Sequence, residues 1–165
     1  MTLSPFHLPK FFRGLLLVLL AAAVMSFLSA NTVSATDLSF RKGLFAAEVK
    51  GYGMYTEESV SRFQKGTKPM VYLEVDGFVL AEKGKEYQPD LSLDLQVKDD
   101  KDNVVAGQKG VVAFNQLVKS PIHDLFFTVN LDLAEWPVGK YTLCFIVTDA
   151  LSGKTAQKDM EIEVF

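Results

Sequence analysis

From Thr36 onward the large apolar residues recur at every second position in short runs, and that alternation constrains the fold more than any other feature of the sequence. A period of two places one side of an extended strand in a core and leaves the other wet. Leu91, Leu93, Leu95 and Val97 alternate with Ser92, Asp94 and Gln96. A slip of one residue would bury Asp94, so the register is well specified. Val71, Leu73 and Val75 alternate with Tyr72, Glu74 and Asp76 in the same way, after a turn at Gly66. Phe127, Val129, Leu131 and Leu133 form a third run. Phe45–Val49 and Val111–Phe114 are shorter apolar candidates. At the C-terminus, Tyr141, Leu143, Phe145 and Val147 face Met160, Ile162 and Val164 across a turn over residues 149–154, where Gly153 supplies the positive φ. About seven strands in one sheet would leave an apolar face uncovered, so two antiparallel sheets packed face to face are expected. Helical periodicity is nearly absent, and the region shows neither an internal repeat nor a low-complexity tract.

The first 35 residues differ in kind. Lys10 and Arg13 precede an apolar stretch from Leu15 to Leu28, 14 residues long, with no Asp or Glu before Asp37. A basic head followed by an apolar middle of this length is the pattern of a secretory signal helix, and it falls short of the ~20 residues of a bilayer span. Small residues end the stretch at Leu28-Ser29-Ala30 and Val33-Ser34-Ala35, so cleavage is expected after Ala35, with Ala30 or retention as an anchor as alternatives. The expected organisation is a signal peptide over 1–35 and one domain over 36–165, with a periplasmic or secreted location. Without the leader the chain keeps 15 basic and 20 acidic residues, a net charge of −5, which argues against nucleic acid as a partner. Cys144 is the single cysteine, so no internal disulfide can form and the domain must stand on packing.

The segment Trp136-Pro137-Val138-Gly139-Lys140-Tyr141-Thr142-Leu143, with Val147-Thr148-Asp149 and Ser152-Gly153-Lys154 after it, resembles the last hairpin of bacterial immunoglobulin-like domains. In that family a Pro-x-Gly-x-Tyr-x-Leu approach leads into the penultimate strand and a Thr-Asp-x-x-Ser-Gly-Lys turn leads out. Phe63-Gln64-Lys65-Gly66 is similar to the approach to the family's second strand. The resemblance covers about the last 30 residues well and implies an all-β, immunoglobulin-like two-sheet sandwich. The paired cysteines of antibody-type domains are missing. A fold of this kind does not name a ligand.

Chemistry-bearing residues are sparse. Asp99, Asp100, Asp102 and Asn103 crowd a turn as calcium loops do, but the glycine and distal glutamate of such loops are absent, and a solvated hairpin tip is expected. Glu74 and Asp76 would project from one strand face roughly 7 Å apart, a spacing carboxylate catalysis uses, although a single strand offers no cleft. Cys144 and His123 lie far apart in sequence, as a buried filler and a loop residue. No cofactor or metal is implied. Two surfaces remain. Tyr52 and Tyr55 flank Gly53 on a loop of the kind that carbohydrate or peptide binders expose. Met70, Tyr72 and Phe126 would join into an apolar patch if their strands are neighbours. The expectation is an exported noncatalytic interaction module that binds a protein partner through an edge strand or that outer face, with carbohydrate binding through Tyr52 and Tyr55 as the alternative.

Overall fold

The computed structural model describes residues 37–165. The expected signal helix and its cleavage sites lie outside the described residues. Eleven strands follow one another: β1 (Ser39–Gly51), β2 (Met54–Glu57), β3 (Arg62–Phe63), β4 (Met70–Asp76), β5 (Ala81–Lys83), β6 (Glu86–Gln88), β7 (Leu91–Lys98), β8 (Val104–Phe114), β9 (Asp124–Asn130), β10 (Gly139–Asp149) and β11 (Lys154–Val164). The seven that the alternation predicts are β1, β4, β7, β8, β9, β10 and β11, each of seven residues or more. The other four are too short to show a period.

Two sheets carry the domain, with orders β2-β1-β4-β9 and β3-β11-β10-β7-β8, and β5 and β6 form a separate hairpin. Every pairing is antiparallel except that of β3 with β11. One buried cluster joins Phe45, Val71, Leu73, Val75, Phe127 and Val129 of the first sheet to Leu91, Leu93, Leu95, Val97, Leu143, Phe145, Val147, Ile162 and Val164 of the second. The two sheets therefore share a core, as a β-sandwich requires. β7 shows the expected alternation without a break, buried and half-buried residues in turn. Leu131 and Leu133, expected within the third run, lie beyond the end of β9. They stay buried because their backbone N–H groups continue the ladder to Pro69 and Thr67 carbonyls, at 3.0 and 3.1 Å.

Two polar devices close the ends of the sandwich. The Tyr141 hydroxyl donates to the Pro137 carbonyl at 2.8 Å, and the Trp136 ring meets Tyr141 edge-on at 5.2 Å. This pins the chain where it crosses between sheets and plugs that end of the core. The Asp149 carboxylate, fully buried, accepts from Val79 N at 3.0 Å, Leu151 N at 3.0 Å and Ser152 Oγ at 2.7 Å. Three donors satisfy a charge that would otherwise be costly to bury. The sequence marks residues 149–154 as a turn but gives no sign that its first residue also tethers the segment after β4.

Candidate functional site

The aromatic residues expected on the surface come together, though as a small second core. β1 and β4 pair directly, with Leu44 opposite Tyr72, and β4 pairs with β9, with Glu74 opposite Phe126. The expected neighbour relation of the Tyr72 and Phe126 strands is thus found, and their rings stack at 5.5 Å. Register shifts between Ala46 and Glu48 and between Val49 and Gly51 interrupt the ladder of β1 with β2. The β1–β2 hairpin lies against the outer face of the first sheet: Tyr55 packs on Tyr72 at 4.7 Å and Gly53 N donates to the Tyr72 hydroxyl at 2.8 Å. Tyr72 is fully buried, clustered with Leu44 and Ala46 and flanked by Val49, Tyr55 and Phe126.

This corrects two expectations. Tyr72 is not part of an exposed patch, and Glu74 is not on a wet face, being 8% exposed and accepting the Tyr72 hydroxyl proton at 2.9 Å. Burial pushes the Tyr72 phenol up to about 12, with the Glu74 carboxylate adding to the shift. Asp76 is held by Ser39 Oγ and by Arg41 at 3.5 Å, and Glu74 by the Tyr72 hydroxyl, so each carboxylate is engaged by its own local partners. Tyr55 is half-buried and its hydroxyl accepts from Lys42 Nζ at 2.6 Å. Tyr52 remains 37% exposed, its phenol raised by burial and by the negative charges of Glu74 and Asp124. Met70, half-buried opposite Ala46 at the margin of this cluster, lines a cleft with Phe45, Phe63 and Pro69.

The other candidates resolve as local structure. The Asp99 carboxylate accepts from Lys101 N, Asn103 N and Asn103 Nδ2 at 2.8–3.3 Å, an arrangement that organises a tight turn. Among the described residues no three His, Cys, Asp or Glu side chains converge as a metal site would. Cys144 is buried, and desolvation with the neighbouring Asp159 pushes its thiol up to about 11. His123 is exposed in the loop before β9.

A different region is open. β8 is the last strand of its sheet, and every residue from Val104 to Gly110 is exposed. The strand is bulged twice against β7, between the Leu93 and Leu95 positions and between Val97 and Lys98. At the first bulge Gly110, with φ of 60°, donates its N–H to Asp94 Oδ1 at 2.7 Å. Beside the strand a cleft of about 450 Å³ is lined by Val97, Val105, Ala106, Trp136, Pro137 and Tyr141, with Asp99 and Glu135 at its rim. Val104 and Val105 are 58% and 54% exposed.

Two of the other edges are less open, while the short edge strand β2 carries the exposed Met54. β3 pairs with β11 only at Glu163 and Val164, so among the described residues β11 has no strand on that side of residues 154–162. There Lys158, opposite Phe145 and so on the core side, packs closely against Gly43 of β1, where a Cβ would come within 3.1 Å of Lys158 Cε. An inward lysine at an edge discourages further pairing. β9 ends the other sheet, and its residues 125–129 are buried or half-buried. β8 combines free backbone, exposed apolar side chains and an adjoining cleft. The sequence reading missed it because Val104–Gly110 shows no alternation.

No family model matches this sequence, and no curated protein is significantly similar to it. Among solved structures the chain is similar to a family 123 glycoside hydrolase from Clostridium perfringens, at 8% identity and a TM-score of 0.41 over 66% of this chain. It is also similar to a CARDB domain from Pyrococcus furiosus in complex with di-metal ions, at 12% and 0.36 over 78% of this chain and 86% of that one. A third similarity is to Spo0M, a sporulation control protein from Bacillus subtilis, at 13% and 0.40 over 78% of this chain. The chain spans 23% of the length of the hydrolase and 49% of Spo0M. At these TM-scores none of the three carries a fold family or an activity over to this chain.

Proposed function

We propose that this domain is a noncatalytic interaction module, working in the cell envelope or outside the cell, that captures an extended segment of a protein partner along the free edge of β8. The observation that carries the reading is the seven-residue exposed stretch Val104–Gly110 at a sheet edge, set beside an apolar cleft. A strand edge offers alternate N–H and C=O groups to a partner strand, and a neighbouring pocket adds side-chain selectivity. The basic and apolar pattern of residues 1–35 supports export. Strand order β1-β4-β9 against β11-β10-β7-β8, together with the Tyr141–Pro137 hydrogen bond, supports an immunoglobulin-like sandwich.

Carbohydrate recognition through Tyr52 and Tyr55 is the weaker reading, because Tyr55 spends its ring on Tyr72 and its hydroxyl on Lys42. The test is capture of envelope proteins by the immobilised mature domain and by its Val105→Lys variant. Partners retained by the parent and lost by the variant support edge capture. Equal retention by both, with loss on Tyr52→Ala, would move the site to the hairpin.

A further inference from the structure

Resting on that reading, we infer that the segment captured by β8 is cationic, with a bulky apolar side chain for the cleft and Lys or Arg beside it. The cleft supplies the first half. Its walls are the Trp136 and Tyr141 rings with Pro137, Val97 and Val105, while the inward position opposite Val97 is held by the small Ala106. An apolar side chain entering there would cover ring and aliphatic surface that is now wet.

The rim supplies the second half. Asp99 and Glu135 border the cleft, and Asp100 and Asp102 stand in the adjoining turn. None of these four carboxylates forms an ion pair with any described residue. Asp99 is held below the usual carboxylate range by hydrogen bonds from Asn103, so its charge is fixed. Lys101 lies in the same turn, Lys98 precedes Asp99 and Lys140 lines a cleft with Asp99 and Asp100, so these three lysines offset all but one of the four carboxylate charges and the rim stays net negative by one. The edge carries no charge from Val104 to Gln108, and Lys109 at its far end is the one charged residue of the exposed stretch. A cationic strand would be drawn to this end of the sheet and an acidic one turned away.

Two synthetic peptides separate the two halves of the proposal: Lys-Thr-Val-Phe-Val-Thr-Lys and the same peptide with Glu in place of both Lys. Binding to the mature domain is followed by amide chemical shifts at about 50 mM and about 500 mM salt. The Lys-ended peptide should bind about tenfold more tightly at low salt, with shifts at residues 104–108 and the Trp136 indole, and the preference should shrink at high salt. A Glu135→Gln/Asp100→Asn variant, altered only at exposed positions, should bring the two peptides within about twofold. Equal binding of both peptides to the parent would overturn the charge requirement and leave edge capture standing. Binding by neither, or concentration-dependent dimerisation with shifts at 104–108, would overturn edge capture of a partner segment, the second result making another copy of this chain the occupant.

Discussion

The aromatic hairpin face and the β8 edge are opposites in what they show and what they hold back. The first gathers Tyr52, Tyr55, Tyr72 and Phe126 on one side of a sheet, a composition that in sequence reads as a binding surface. In the fold Tyr72 is sealed, with its hydroxyl between Gly53 N and Glu74 and its ring between Tyr55 and Phe126. The second is a run of Val, Ala, Gly, Gln and one Lys with little in it to attract notice, and it is exposed from Val104 to Gly110. Aromatic side chains carry much burial energy, so a chain tends to cover them with its own elements. Small apolar residues on an unpaired strand leave backbone and cleft available. Availability, more than composition, marks the candidate site.

If the hairpin face is a core, emptying it is costly. Tyr72→Ala is expected to lower stability by about 3–4 kcal/mol in urea unfolding, as truncation of a buried aromatic does. A loss under ~1 kcal/mol would mean the face is loosely packed and open to ligand. Alkali probes the same residue. The neutral Tyr72 phenol is favoured in the folded state, with its pKa raised to about 12 against 10.0 when unfolded. Its contribution is therefore complete below pH 10 and is lost as pH rises towards 12, on the order of 2 kcal/mol. Tyr72→Phe should show a flatter loss of melting temperature over that window than the parent.

At the β8 edge the expected stability effects are smaller. Gly110→Ala puts a side chain at φ of 60° and should cost about 1 kcal/mol. Loss of the bulge would also let β8 pair more evenly, so light scattering should report more self-association in that variant. Val105→Lys should change stability by less than about 0.5 kcal/mol while abolishing partner capture, since Val105 is 54% exposed. A large drop in melting temperature for Val105→Lys would show that the edge is structural.

Much of the sandwich is legible in the sequence because burial on one side of a strand writes itself as alternation. Leu91–Val97 does so along its whole length, and Asp94 stands on the face opposite the core, where it binds Gly110 N. The segment Trp136–Leu143, which resembles immunoglobulin-like hairpins, is where the Tyr141 hydroxyl bonds to backbone. What stays hidden depends on events without a period. The register shifts beside Glu48 let a hairpin cover a face that alternation alone marks as wet, so Glu74 is misplaced by the pattern. Asp149 reaches Val79 across 70 residues of chain, a contact set by the packing of distant loops. The first half of β8 is exposed on both sides, and with nothing buried there is no alternation for a sequence to carry.

The claim at the centre is that a partner strand adds to β8. Amide hydrogen exchange of the protein, with and without the Lys-ended peptide, reads this at the backbone. Added protection confined to residues 104–108, with Tyr52–Tyr55 unchanged, is the result expected. Protection at Tyr52–Tyr55 with 104–108 still exchanging freely would contradict it.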